Sequence, residues 1–120
     1  MYEVMVRDHF SAAHQLRDSA GKCENLHGHN WQVDVVVEAE GLTEGGVVID
    51  FDILKKHIKE LLDRFDHRVL NDIPYFQDVN PSAENIAHYV FGELKRVCHS
   101  ARIKKVTVWE TGSCGASYSC

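Results

Sequence analysis

The sequence has no long hydrophobic run, no excess of positive charge and no closely spaced pair of cysteines. Its longest apolar runs contain three residues, whereas a membrane-spanning helix needs about 20. Eighteen acidic residues against 13 basic ones give a formal net charge of −5, which argues against a nucleic-acid-binding surface. With 44% hydrophobic and 26% charged residues, the chain has the balance of an ordinary globular protein.

The chain also lacks repeats, low-complexity stretches and the features of a secretory signal. Residues 1–8 have neither a basic start nor an apolar stretch. The four cysteines have irregular spacing, so reduced thiols in the cytoplasm are a better interpretation than a disulfide framework. At 120 residues, we expect one domain that spans residues 1–120.

Alternating apolar residues predict strands towards both ends of the chain. Residues 2–7 suit a first strand, and the clearest strand runs from near His27 to Ala39. A third strand passes through residues 106–110, and residues 116–119 can return as a fourth. A short strand end is also expected at 47–49, after a turn that contains three glycines.

Two helices are expected between the strand pairs. Helical spacing of apolar residues runs over 52–65, with Asp50 or Asp52 as the cap. A second helix is predicted to start with Asn80 as N-cap and Pro81 in its first position. The order ββααββ implies an α+β fold, a four-stranded antiparallel sheet with both helices on one face. Such a sheet has open edges, which favours assembly into an oligomer.

Three histidines have the spacing of a metal site. His27 and His29 are two residues apart at the start of a strand, so both side chains point to the same face. His14 follows the first strand and lies beside them if the two strands pair. Three histidines would leave zinc with an open fourth position, as in catalytic sites. The alternative is that these are unrelated polar residues of a strand.

Cys23 lies in a polar loop four residues before His27, whereas a structural cysteine would lie in an apolar pattern. It could be the fourth zinc ligand and close the site, or a base or nucleophile beside an open metal ion. The residue pattern favours neither possibility.

Two further positions carry possible acid–base groups. Asp66 precedes His67, and a carboxylate can orient an imidazole, although a solvated helix end is the simpler interpretation. Glu110 continues the face of Val106 and Val108, where a buried carboxylate needs a donor. A ligand with paired N–H groups would supply one, unless the strand has already reached solvent.

With these residues in view, the sequence resembles the 6-pyruvoyl-tetrahydropterin synthase family over nearly its whole length. The three-residue gap between Cys23 and His27 is similar to the bacterial branch that makes 6-carboxy-tetrahydropterin, since the animal enzymes have a longer gap. The resemblance depends on these segments: Ser11-Ala12-Ala13-His14, residues 23–29, Val48-Ile49-Asp50-Phe51, Leu54-Lys55, Asp66-His67, Leu70-Asn71-Asp72, residues 80–85 and Glu110-Thr111.

The resemblance implies a tunnelling fold, whose subunits form a barrel, as a homohexamer made of two trimers. It also implies a zinc-dependent lyase that converts 7,8-dihydroneopterin triphosphate to 6-carboxy-5,6,7,8-tetrahydropterin, acetaldehyde and triphosphate, in queuosine biosynthesis. The implied roles are zinc binding by His14, His27 and His29, base catalysis by Cys23, proton relay by Asp66 and His67, and pterin binding by Glu110.

Three rival functions remain open at this stage. The protein could make a pyruvoyl product, it could be a dihydropterin-forming relative of folate pathways, or it could be a zinc-stabilised binding module without turnover. The residues that bind the triphosphate are not identified by the sequence, and Lys22, Arg68 and Lys104 are the candidates.

Overall fold

A computed structural model describes the whole chain, residues 1–120, as a sheet packed against helices. The strands are β1 (Tyr2–His14), β2 (His27–Ala39), β3 (Arg68–Val69), β4 (Arg102–Trp109) and β5 (Gly115–Ser119). The helices are α1 (Phe51–Leu62), α2 (Tyr75–Asp78) and α3 (Ala83–Val97), with a 3₁₀ turn at Leu70–Asp72. None of these helices has the length and apolar character needed to cross a membrane.

The sheet is mixed and has the strand order β3-β1-β2-β4-β5. All neighbours are antiparallel except β3, which runs parallel to β1 through the pairs Ala12–Arg68 and Ala13–Val69. The prediction of four antiparallel strands is therefore wrong by one strand. A two-residue strand is too short to show the alternation from which strands are predicted.

The long pair of β1 and β2 determines which side chains face the helices. The two strands pair without interruption from Tyr2–Ala39 to His14–His27. Residues that lie opposite each other share a face, so even positions of β1 and odd positions of β2 point to the same side. That side is buried, for example at Phe10 and Trp31.

Helix α1 starts as predicted and ends earlier. Asp50 is its N-cap and accepts a hydrogen bond from the Asp52 N–H at 2.8 Å. The helix ends at Leu62, yet Phe65 is fully buried and its ring packs 5.3 Å from that of Phe10. The apolar pattern therefore extends beyond the helix because the turn that follows is also part of the core.

The start of α3 differs from the prediction. Its N-cap is Ser82, which accepts from the Asn85 N–H at 3.2 Å, so Asn80 and Pro81 lie before the helix. The side chain of Asn80 is engaged elsewhere, since it accepts from the Arg17 N–H at 2.9 Å and donates to the Arg17 carbonyl at 2.8 Å. This pair of hydrogen bonds attaches the loop after β1 to the start of α3.

One core of 25 buried residues lies between the sheet and the helices. Val48 and Ile49 contribute to it without forming the expected strand. Only two polar residues are buried, His14 at 1% exposure and Asp34 at 8%. Asp34 lies on the opposite face of the sheet, where it accepts hydrogen bonds from Arg7 and Trp109.

Candidate metal centre and catalytic groups

His14, His27 and His29 converge at one end of the β1–β2 pair. His14 is the last residue of β1 and lies opposite His27, the first residue of β2, while His29 lies opposite Ala12. All three side chains share the helix-facing side, as the two-residue spacing predicts. Their ring centroids are 4.7 to 5.2 Å apart.

Two backbone carbonyls determine which ring nitrogen carries the proton in His14 and in His27. The Nδ1 atom of His14 lies 2.7 Å from the Pro81 carbonyl oxygen, and Nδ1 of His27 lies 2.8 Å from that of Asn25. A carbonyl can only accept, so each neutral ring carries its proton on Nδ1 and has a lone pair on Nε2. The two Nε2 atoms are 3.2 Å apart. Lone pairs that face each other at this distance repel unless a cation lies between them.

Glu110 completes the cluster through a contact that no sequence pattern predicts. Its Oε1 atom lies 3.0 Å from Nε2 of His14 and 3.1 Å from Nε2 of His29. Despite this proximity, the buried Nε2 of His29 makes no hydrogen bond. A buried nitrogen without a partner is costly in a folded protein, and a bound ion would satisfy it.

The surroundings keep His29 in the neutral form that binds metal ions. Burial lowers the pKa of His29 below its usual range, and the neighbouring His14 and His27 lower it further, against an opposing effect of Glu110. Trp31 packs edge-on against His14 and His29, with ring centroids 4.9 and 5.3 Å away, and restricts both rings.

The four residues fit a divalent ion such as zinc. Their ligand atoms all lie within 4.8 Å of one another. Two ligands at tetrahedral positions about 2.05 Å from zinc are about 3.3 Å apart, close to the three distances given above. The carbonyl partners of His14 and His27 are the outer contacts that orient metal-binding imidazoles. Cys23 is not a member of this group.

Cys23 lies instead in the exposed loop between β1 and β2. A backbone bridge pairs Cys23 with Arg17, and Glu24 holds the same loop through two hydrogen bonds with the backbone of Leu16, at 2.9 and 3.1 Å. The thiol is free and exposed, and the residue lines a shallow depression together with Lys22. The loop is therefore held in place while the sulfur stays accessible to a ligand.

Asp66 and His67 form a pair in the turn between α1 and β3. Asp66 Oδ2 lies 3.0 Å from Nδ1 of His67, and Asp66 Oδ1 accepts from the Ser11 N–H at 2.8 Å. The hydrogen bond from Ser11, followed by that from His67, holds the pKa of Asp66 below its usual range despite partial desolvation. An ionised Asp66 can orient the imidazole and stabilise its charged form.

The backbone of His67 is unusual, and no sequence signal predicts it. Its φ angle is +59°, the only positive φ outside glycine in the chain. Its N–H donates to the Ser11 carbonyl at 2.6 Å, which holds the turn against β1. Such strain is common at functional sites, where the surrounding structure supports it.

Cys23 and His67 lie in separate places within one chain. The depression that contains Cys23 shares no lining residue with the one that contains His67. The second depression, with a volume of about 460 Å³, is also lined by His29 of the metal cluster. One chain thus brings the histidines and Glu110 together but leaves the two proposed proton-transfer groups apart.

Comparison with known proteins identifies the family of the chain. Residues 3–120 match the family described as 6-pyruvoyl tetrahydropterin synthase. The chain is 37% identical over 123 positions to 6-pyruvoyl tetrahydrobiopterin synthase from Homo sapiens, covering 91% of this chain and 85% of that protein. It is also 37% identical over 114 positions to 6-carboxy-5,6,7,8-tetrahydropterin synthase from Synechocystis, covering 91% and 86%.

A solved structure extends the likeness to three dimensions. The 6-pyruvoyl tetrahydropterin synthase of Caenorhabditis elegans superposes with a TM-score of 0.89 at 34% identity, over 99% of this chain and 95% of that one. The chain therefore belongs to the 6-pyruvoyl tetrahydropterin synthase family.

Proposed function

We propose that this protein is a zinc-dependent lyase that converts 7,8-dihydroneopterin triphosphate to 6-carboxy-5,6,7,8-tetrahydropterin, acetaldehyde and triphosphate, as a step of queuosine biosynthesis in the cytoplasm. The observation that carries the proposal is the convergence of three imidazoles on one point. His14 and His27 keep Nε2 free of a proton, and the buried Nε2 of His29 has no hydrogen-bond partner. This arrangement occurs in a chain whose relatives are named for tetrahydropterin synthesis.

The choice of a carboxy product has support from the number of inserted positions in the alignments with relatives. The alignments with the human and the Synechocystis protein cover the same 91% of this chain, but run over 123 and 114 positions. The cyanobacterial relative, named for a 6-carboxy product, therefore needs fewer inserted positions. A pyruvoyl product is the second candidate, since the human protein is equally similar in identity.

In this proposal, His14, His27 and His29 hold the ion. When bound, zinc would act as a Lewis acid towards the hydroxyl groups of the pterin side chain. Glu110 accepts hydrogen bonds from the 2-amino group and ring N–H of the pterin, because its carboxylate is only partly exposed and lies at the same centre. The pterin is thereby oriented with its side chain next to the histidines.

The protein groups then move protons. Cys23, as thiolate, removes a proton from the substrate side chain, and His67 supplies or accepts the compensating proton at its Nε2 atom, because Nδ1 faces Asp66. Loss of triphosphate and cleavage of the bond between the first and second side-chain carbons complete the reaction. One water molecule is consumed and supplies the second oxygen of the new carboxylate, and the two outer side-chain carbons leave as acetaldehyde.

A complete site requires more than one copy of the chain. Cys23 and His67 line separate depressions, so they act on one substrate only if a neighbouring subunit brings them together. The sheet has free strand edges at which another subunit can pair. The strand β3 covers β1 only at Ala12 and Ala13, and β5 has an unpaired outer edge. We infer a homohexamer of two trimers, in which paired edges close a barrel.

Product analysis tests the proposal. Zinc-loaded protein is incubated with 7,8-dihydroneopterin triphosphate, and the products are identified by mass spectrometry. The expected products are 6-carboxy-tetrahydropterin and acetaldehyde in equal amounts. A 6-pyruvoyl product would favour the second candidate, and a dihydropterin would indicate a folate-type reaction. If no substrate is converted, the remaining interpretation is a binding module without turnover.

A further inference from the structure

We propose that Arg68 is the residue that binds the phosphate chain of the substrate and makes the protein selective for phosphorylated pterins. This inference rests on the proposed function, because it assigns a part of the same substrate. The argument starts from the positive charges of the whole molecule, since a triphosphate must be met by cations that are not already neutralised.

Most arginines of the chain already have partners. Six of the 13 basic residues lie within 4 Å of a carboxylate: Arg7, Lys59, Arg64, Arg96, Arg102 and Lys104. Arg17 is also engaged, because its guanidinium donates to the Phe76 carbonyl at 3.0 Å. Lys104, a candidate from the sequence, is excluded by its ion pairs with Glu3 and Glu38.

Arg68 is the remaining arginine, and it forms no ion pair. Six basic residues have neither a carboxylate within 4 Å nor a backbone acceptor like that of Arg17: Lys22, Lys55, Lys56, Arg68, Lys95 and Lys105. Among them, Arg68 alone lines the depression of about 460 Å³ that also contains His29 and His67. Lys22 lines the depression of Cys23, which contains no residue of the metal cluster.

The position of Arg68 suits a long, flexible phosphate chain. Arg68 also lines a second depression of about 590 Å³, next to Arg64 and Tyr89. It therefore lines both the depression whose lining includes His29 and a larger one whose lining contains no residue of the metal cluster. A guanidinium can bind two phosphate oxygens in parallel, which a lysine ammonium does less specifically. The pterin ring would lie at Glu110 while its phosphates extend towards Arg68.

The backbone next to Arg68 is held firmly in place. Arg68 starts β3 and pairs with Ala12 of β1, and its N–H donates to the Phe65 carbonyl at 3.2 Å. His67, immediately before it, is fixed by the hydrogen bonds with Ser11. A phosphate bound at Arg68 therefore also places the substrate relative to His67.

The test uses inorganic triphosphate and unphosphorylated 7,8-dihydroneopterin as separate probes of zinc-loaded protein. We expect Arg68→Gln to weaken the binding of triphosphate by about 10- to 100-fold in calorimetry and to leave dihydroneopterin affinity within twofold. Arg68→Lys should lose less of the affinity for triphosphate, because lysine keeps the positive charge. Lys56→Gln, an equal loss of charge on the exposed side of α1, is the control and should bind triphosphate like the unmodified protein.

Several outcomes would overturn the assignment. Unchanged triphosphate affinity in Arg68→Gln would do so. An equal loss of affinity for triphosphate and for dihydroneopterin would also do so, as would an equal loss of triphosphate affinity in Lys56→Gln. Zinc content is measured after each titration, because triphosphate itself binds divalent ions, and thermal unfolding verifies that the variants are folded. If triphosphate binds through Arg68 but no pterin is converted, the proposed function fails while this inference stands.

Discussion

At the scale of single residues, two carbonyl groups determine how the candidate metal centre works. The carbonyls of Pro81 and Asn25 fix the protons of His14 and His27 on Nδ1, so that Nε2 is left for an ion. Burial and the neighbouring rings keep His29 neutral in addition. The three rings are thus prepared to bind a cation before any ion arrives, which limits the entropy lost on binding.

Replacement of Cys23 separates its two possible roles. We expect Cys23→Ala to lower turnover by at least about 100-fold while zinc content and assembly stay unchanged, because the thiol is outside the ligand cluster. Cys114→Ala removes another exposed thiol and should keep full activity. Product formation and metal analysis are measured on both variants. Loss of zinc in Cys23→Ala would instead identify the sulfur as a ligand.

Glu110 is tested by a change that keeps its shape. Glu110→Gln removes the negative charge, so we expect the affinity for 7,8-dihydroneopterin to fall about tenfold or more in calorimetry. Zinc content should stay intact, because three imidazoles are sufficient to hold the ion. If the variant loses zinc and keeps its pterin affinity, Glu110 is a metal ligand and does not anchor the ring.

The sequence predicts part of this centre and misses the rest, for a physical reason. The common direction of His27 and His29 follows from strand periodicity, and His14 joins them once β1 and β2 pair. The contacts of Pro81 and Asn25 depend on how loops fold back on the sheet, which has no periodic signal. The closeness of Glu110 to the rings could not be predicted either, because it depends on the position of β4 relative to β2.

At the scale of secondary-structure elements, the turn between α1 and β3 combines strain with firm attachment. His67 adopts a positive φ angle, and hydrogen bonds with Ser11 hold the turn against β1. The conformation costs free energy for most side chains, although asparagine tolerates it well. Replacing His67 by asparagine therefore removes the imidazole without adding backbone strain.

We therefore expect His67→Asn to remain folded and to lose turnover by about 100- to 1,000-fold, because the proton-transfer group is gone. His67→Ala lacks the imidazole too, but should also unfold at a lower temperature, since alanine is strained at positive φ. Steady-state kinetics and thermal unfolding of both variants are compared. Full turnover in His67→Asn would remove His67 from the proton relay.

On the opposite face of the sheet, a network joins three strands. Asp34 of β2 accepts from Arg7 Nε of β1 at 2.8 Å and from Trp109 Nε1 of β4 at 3.1 Å. Burial alone would raise the pKa of Asp34, but the hydrogen bonds from Arg7 and Trp109 outweigh it and hold the pKa below its usual range. The side chain is 11% exposed, so little water competes for it.

This network predicts a stability that depends on pH. Because the pKa of Asp34 is lower in the folded than in the unfolded chain, its contribution is complete above about pH 4 and is lost as the pH falls through the folded-state value. We expect Asp34→Asn to lower the free energy of unfolding by about 1–3 kcal/mol at pH 7, with a smaller difference at acidic pH. Urea titrations measure this, and Glu44→Gln, at an exposed turn, should show neither effect.

At the scale of the whole molecule, the shape of the chain favours assembly. Its radius of gyration is 15.3 Å, whereas a compact domain of this length has about 13.6 Å, and it measures 53 × 27 × 25 Å. The paired 13-residue strands β1 and β2 account for the elongation, and most of the outer edge of β1 is unpaired. Edges of this kind are normally covered in a native protein.

Light scattering coupled to size-exclusion chromatography measures the assembly directly. Six copies of the 13.6 kDa chain give a mass of about 82 kDa, and we expect this species for the zinc-loaded protein. Cys23 of one subunit and His67 of its neighbour should then lie close together. A disulfide that joins Cys23 to the thiol of the variant His67→Cys across two subunits would detect this. A monomer of 13.6 kDa with full turnover would contradict a shared site.

The overall fold is largely predictable because its main elements are long and regular. The strands β2 and β4 and the helices α1 and α3 follow from periodicity, and the antiparallel order of β1, β2, β4 and β5 follows from ββααββ. The short β3 and α2, the earlier end of α1 and the Ser82 cap are missed. These elements depend on contacts with distant residues, such as Asn80 with Arg17, which outweigh the local preference.

The bond between His14 and Pro81 also joins the ion to the helical layer. Pro81 immediately precedes the capping residue of α3, so an occupied centre holds the first turn of that helix against the end of β1. A ring released from its ion can rotate and break this connection. A bound ion would therefore also stabilise the packing of the helical layer on the sheet. We expect metal depletion to make the first turn of α3 fray before the rest of the protein unfolds, which hydrogen exchange of its backbone amides would detect.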